Sequence, residues 1–157
     1  MKISLNCIGK NEEDGLLEAG KLYQKRLKHY IPFELVSIAK PRMPGNQPSA
    51  RLKESEGRLI LKGLKGIDFP ILLDVKGSQM DSEGFSGFIQ QAMNRGIRHM
   101  GFFIGGAYGF SEEVYNLVPD MISLSSMTYS HQIARLVFLE QLYRAMTILH
   151  GEPYHHL

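Results

Sequence analysis

The stretch that reads most directly as chemistry is "GGAYGF", residues 105 to 110, set between the apolar run "MGFFI" and "SEEVYNLV". A strand that passes through a glycine turn into a helix N-terminus lets backbone N–H groups approach a ligand without Cβ obstruction, as nucleotide-like molecules require. The spacing of Gly105, Gly106 and Gly109 is G-G-x-x-G. It is not the dinucleotide G-x-G-x-x-G, and with no Gly-Lys-Ser/Thr behind it, it is not a Walker loop. Taken alone, the pattern reads equally well as a tight turn that needs positive φ. A second loop, "LSSMTYSHQ" at 124 to 132, surrounds a methionine with hydroxyl side chains just before the last helix. Open α/β sheets bind ligands in the loops at the carboxyl ends of parallel strands. These two loops and the end of "ILLDV" are therefore expected to enclose one pocket.

Several titratable side chains lie around that second loop. His131 opens the last helix beside it, where it reads either as a general base or as a helix cap. On the helical wheel Arg135 falls between Leu142 and Met146. An unpaired guanidinium there would cost about 3–5 kcal/mol, so a carboxylate, phosphate or carbonyl partner is expected. Glu140 and Arg144 stand at i and i+4, and their mutual ion pair would be worth roughly 0.2–0.5 kcal/mol if exposed. The segment "HGEPYHHL" carries His150, His155 and His156 in its eight residues. Without Cys or acidic residues at ligand spacing nearby, a metal is not expected there. The lone cysteine, Cys7, sits in an apolar stretch and reads as a buried thiol.

Strand-like runs at 2 to 8, 33 to 39, 69 to 75, 100 to 104 and about 120 to 124 would position these groups. Helical patterns alternate with them at roughly 12 to 30, 49 to 64, 82 to 95, 111 to 117 and 131 to 149. That alternation predicts an α/β fold, a mostly parallel sheet with helices on both faces, in one domain over 1–157. "ILLDV" and "MGFFI" are continuously apolar, as central parallel strands are. Ser82 before Glu83, and Ser111 before Glu112 and Glu113, are expected N-caps. "KPRMPGNQPSA" holds three prolines and a glycine and is expected to be a mobile loop. The last helix is apolar almost all round, which suggests that a second subunit supplies part of its cover.

Hydrophobic residues make up 43% and charged residues 22%, a balance that excludes a disordered chain. The net charge of +2 divides unevenly, with +6 over residues 1–66 and −4 over 67–157. The basic half is the candidate footprint for phosphate. Within it Lys21, Lys25 and Lys28 recur at helical spacing, a stripe that could line one face against phosphates but by itself reads more readily as a solvated face. No run approaches the roughly 20 apolar residues that span a bilayer, so no membrane association and a cytoplasmic location are expected.

In order along nearly the whole chain, "MKISLNCIGK", "KESEGRLIL", "ILLDVKG", "FFIGGAYG", "LSSMTYSHQIARLVFLEQLYRA" and "GEPYHH" resemble the RlmH family of ribosomal RNA methyltransferases. The resemblance implies a SPOUT-type α/β fold with its C-terminal segment drawn through a trefoil knot, working as a homodimer. It implies methyl transfer from S-adenosyl-L-methionine to N3 of a pseudouridine, position 1915 in helix 69 of large-subunit ribosomal RNA, on assembled ribosomes. Cofactor contacts map by the same likeness onto Leu73, Gly105, Gly106, Leu124, Ser125, Ser126, Met127, Thr128 and Tyr129. The likeness places the cofactor against the two glycines, and since the two loops carry no Lys or Arg, a berth free of cations is expected. Candidate catalytic residues are His131 and His155 as the base, Arg135 and Arg144 on RNA phosphate, and Tyr154 on a base. Where relatives commonly carry a basic residue after Tyr-His, this chain has His156. Two rival readings are a non-catalytic dimeric RNA-binding ribosome factor that retains the pocket, and a nicotinamide oxidoreductase favoured by the glycine turn alone.

Overall fold

The computed structural model describes residues 1–9, 14–41 and 48–154. Five strands form one all-parallel sheet in the order β2-β1-β4-β3-β5. They are β1 (Lys2–Ile8), β2 (Phe33–Ile38), β3 (Phe69–Gln79), β4 (His99–Ile104) and β5 (Met121–Ser123). The connecting helices are α1 (Asp14–Leu27), α2 (Ser49–Gly63), α3 (Ser82–Asn94), α4 (Glu112–Leu117) and α5 (His131–Leu149). Both the α/β class and the helices on both faces are as the alternation predicts. Most of the predicted loop at 40 to 48 lies outside the described residues.

The two central apolar strands show why their sequences do not alternate. Successive side chains of a strand point to opposite faces. Ile71 and Phe102 enter the core beneath α1, α3 and α5, while Leu72 and Phe103 enter the one beneath α2 and α4. All four are fully buried. The first core is closed by Leu27, Phe85, Ile89, Phe138 and Leu142, the second by Ile60, Phe110 and Val114.

Capping departs from expectation at α3. The N-cap is Asp81, whose carboxylate accepts the Gly84 N–H at 2.7 Å, and Ser82 is the first helical residue. A carboxylate outranks a hydroxyl at this position because it also meets the helix dipole. Ser111 does sit at the N-cap of α4, but its side chain makes no cap bond. Its Oγ lies against Gly57 of α2, where any Cβ would overlap it. α5 is capped by Ser130, which leaves the His131 side chain free of that task.

Candidate active site

At its carboxyl end β3 does something the sequence does not announce. Leu73 pairs with Ile104 of β4 and with Ile122 of β5; then the chain leaves the ladder and Ser78 returns to the same Ile122. Gly77 permits the return, since a Cβ there would lie 2.5 Å from the Ile122 nitrogen. The excursion carries Asp74, Val75 and Lys76 out to form one wall of a cavity of about 400 Å³.

The cavity lies at the carboxyl ends of β3, β4 and β5. Leu73, Ile104, Phe110 and Ala134 supply apolar surface, and Gly105 to Gly109 form a second wall. A third comes from Leu124, Ser125, Met127, Thr128 and Tyr129, with His131 beside them. Of the residues assigned to a cofactor from the resemblance, only Ser126 is not in the lining. The loop's hydroxyls pair its own backbone: Ser123 Oγ donates to the Ser125 carbonyl at 2.9 Å, and Ser125 Oγ accepts the Met127 N–H at 2.9 Å.

The glycine turn is built for reasons internal to the protein. Gly109 has φ +73 and donates its N–H to the Gly106 carbonyl at 3.0 Å, so the turn reading applies to Gly109. Gly105 is pressed on Gly109, whose carbonyl carbon and oxygen would each lie 3.1 Å from an added Cβ. What fills the space beside Gly106 is the Glu56 carboxyl of α2; an added Cβ would overlap Oε2 and stand 2.5 Å from the carboxyl carbon. The room that a Cβ would take at Gly106 is thus occupied by a side chain of the protein, while Gly106 itself still lines the cavity. Glu56 is 4% exposed and its Oε2 has no partner among the described residues. Burial pushes its carboxyl above the usual carboxylate value, against the opposing pull of Lys40.

Nor is the cavity uncharged. The two loops carry no Lys or Arg, but Asp74, Lys53 and Lys76 also line the space. They come from α2 and from the β3 excursion, elements that loop composition does not report. Asp74 Oδ2 accepts the Tyr115 hydroxyl at 2.8 Å and its Oδ1 accepts the Lys76 N–H at 2.9 Å. Lys76 Nζ stands 4.5 Å from the centre of the Tyr115 ring. Burial, reinforced by the Asp74 carboxylate, pushes the Tyr115 hydroxyl up to about 12.

His131 lines the cavity half-buried. Desolvation first, then the charges of Arg135 and Lys40, lower its pKa from the ordinary 6.5, so it is neutral at neutral pH and able to accept a proton. Arg135 is 3% exposed, and its Nη2 donates to the carbonyls of Ile8 at 2.8 Å and Gly9 at 2.9 Å. The expected carbonyl partner is present, and it ties α5 to the end of β1. That burial does not suit the phosphate role drawn from the resemblance. Cys7 beside it is buried, and burial pushes its thiol up to about 12.

The other candidate residues lie elsewhere. Arg144 is paired with Glu140 at 2.6 Å, and its guanidinium covers the Tyr154 ring at 4.8 Å. Tyr154 also packs on Tyr143. At 1.5 Å per residue, Arg144 is about 20 Å along α5 from His131. One chain does not bring these groups together. His155 and His156 lie outside the described residues. α5 is not buried all round in the single chain: Ile133 is exposed, and Leu136, Val137 and Glu140 are half-buried. Among the described residues no three His, Cys, Asp or Glu side chains are grouped as metal ligands, and no helix is long and apolar enough to cross a membrane.

Comparison with known proteins agrees with this architecture. A family model described as "Predicted SPOUT methyltransferase" matches residues 1–155. The chain is 51% identical over 156 residues to the "Ribosomal RNA large subunit methyltransferase H" of Christiangramia forsetii, covering 99% of each. It is 49% identical over 156 residues to the protein of that name from Parabacteroides distasonis, with the same coverage. Among solved structures it is similar to a probable methylase family protein from Haemophilus influenzae. The TM-score is 0.58 at 10% identity, over 95% of this chain and 66% of that one. TrmJ from Z. mobilis gives a TM-score of 0.50 at 12% identity, over 99% and 73%. At such identities these two likenesses concern the fold alone.

Proposed function

Because this chain belongs to the SPOUT methyltransferase family, we propose that it transfers a methyl group from S-adenosyl-L-methionine to N3 of a pseudouridine in large-subunit ribosomal RNA. The nucleotide is position 1915 in helix 69, and the protein acts on assembled ribosomes in the cytoplasm as a homodimer with a knotted C-terminal segment. The observation that carries this reading is the cavity at the carboxyl edge of the sheet, lined by Leu73, the glycine turn, Leu124, Ser125 and Met127 to Tyr129. Its roughly 400 Å³ is within the range of small-molecule sites. Its apolar floor suits an adenine ring, its backbone and hydroxyl groups suit a ribose, and the Asp74 carboxylate in its lining suits a cation.

In this reading Leu73, Gly105, Gly106, Leu124, Ser125, Ser126, Met127, Thr128 and Tyr129 hold the cofactor, which supplies an electrophilic methyl on a sulfonium. The contribution of the walls is alignment at close range, which can supply much of the acceleration of an in-line displacement. N3 of the acceptor carries a weakly acidic proton that a base must take. His131, neutral and on the cavity wall, is placed for it. Arg135 serves as a strut between α5 and β1. Arg144, about 20 Å along α5 from His131, and Tyr154, whose ring it covers, act on the cavity of the other subunit, and His155 acts there with them. The basic first half of the chain supplies attraction to phosphate without reading sequence.

The test is incubation with the cofactor and ribosomes that carry or lack the pseudouridine, followed by mass analysis of the RNA. One methyl per pseudouridine-bearing ribosome, and none on the uridine-bearing kind, is the expected result. Equal methylation of both, or none on either with cofactor demonstrably bound, contradicts it.

A further inference from the structure

Among the described residues that line the cavity Asp74 is the only acid, and its setting differs from that of the cations around it. Two hydrogen bonds fix its carboxylate, one from the Tyr115 hydroxyl and one from the Lys76 N–H. Tyr115 is held protonated far above neutral pH, so it remains a donor and the carboxylate remains the acceptor. The neighbouring ammonium of Lys76 is turned onto the Tyr115 ring, and among the described residues Asp74 forms no ion pair. A half-buried, oriented carboxylate therefore faces the cavity, with Lys53 and Lys76 on the same lining but not paired with it. It lies next to the glycine turn, where a Cβ on Gly109 would be 3.8 Å from Oδ2.

Such a charge attracts a cation and is indifferent to a neutral atom of the same shape. The methyl donor carries a sulfonium, and loss of the methyl leaves a neutral thioether with the rest of the molecule unchanged. We propose that Asp74 is the counter-charge of the sulfonium, and so the residue by which the site favours the methyl donor over its demethylated product. The two hydrogen bonds hold the carboxylate in place before the ligand arrives, so its attraction is not spent on reorientation. The proposal rests on the cavity being the methyl-donor site.

Calorimetry separates the two claims. S-adenosyl-L-methionine, its thioether product S-adenosyl-L-homocysteine, and sinefungin, with an amine-bearing carbon in place of the sulfonium, are titrated into the unaltered protein and Asp74→Asn. The variant keeps the shape and an acceptor for Tyr115. It should bind both cationic ligands about tenfold more weakly and the thioether within threefold of the unaltered protein. Equal weakening of all three would overturn the proposal, because the carboxylate would then serve the amino-acid ammonium common to them. So would three unchanged affinities. If the variant does not fold, the unaltered protein decides: both cationic ligands should bind at least about threefold tighter than the thioether, and equal binding refutes the assignment. Binding of none of the three by the unaltered protein would remove the cofactor reading itself, and this proposal with it.

Discussion

Replacing Gly106 by Ala tests whether the glycine serves the fold, as its neighbours indicate. Gly106 does not have positive φ, so alanine is tolerated by the backbone, and restricting the unfolded chain would favour it by about 0.4–1 kcal/mol. Against this, the new methyl would stand 2.5 Å from the Glu56 carboxyl carbon and 2.6 Å from its Oε1. Glu56 is buried against the turn and has little room to yield, and overpacking of this kind costs about 1–3 kcal/mol. The net effect expected is a destabilisation of about 1–2 kcal/mol, or roughly 3–6 °C in a chain of this size. The decisive comparison is the same substitution in a Glu56→Ala background, measured by urea unfolding of all four proteins. With the carboxyl gone, Gly106→Ala should be neutral or mildly stabilising, a coupling of at least about 1 kcal/mol. An equal cost in both backgrounds would refute the argument.

The other predictions concern charge. Because burial raises the Glu56 pKa above 4.5, its stabilising contribution is fully present below pH 4.5 and lost as pH rises through the folded value. Glu56→Gln should therefore gain stability relative to the unaltered protein between pH 4.5 and 8, and a constant difference by thermal unfolding would contradict this. His131→Asn should lower kcat by about 10²- to 10⁴-fold while cofactor affinity stays within about threefold. In the unaltered enzyme the acid limb of kcat should fall below pH 6.5, since the neutral base survives to lower pH than an ordinary histidine. Arg135→Met should destabilise the fold, with about 1–3 kcal/mol for each of the two carbonyls left unsatisfied. If Arg135 were a phosphate ligand, the same variant would instead reduce the salt slope of RNA binding by about 0.9.

The sequence reports the elements well because hydrophobic period is a local property. β1 and α5 have the expected bounds, and most other ends are within a residue or two. β3 is the exception: "KGSQ" is polar and exposed, and pairs with β5 only because Gly77 allows the close return to Ile122. The end of "ILLDV" was expected in the pocket and brings Asp74 to it, but Lys76 and Lys53 were hidden, as they reach it through tertiary placement. The need of Arg135 for a partner was legible, because a guanidinium on an apolar helix face must find one, but which of carboxylate, phosphate or carbonyl it would be was not. The contact between Glu56 and Gly106 was not legible, since 50 residues separate the two in the chain.

The central claim is that the cavity between Leu73, the glycine turn and residues 124 to 129 is the berth of the methyl donor. A crystal of the protein soaked in S-adenosyl-L-methionine tests it most directly. Electron density for the donor against those residues, with Asp74 facing its charge, is the result expected. A cavity left empty at saturating concentration, or the donor seated anywhere else on the sheet, would contradict it.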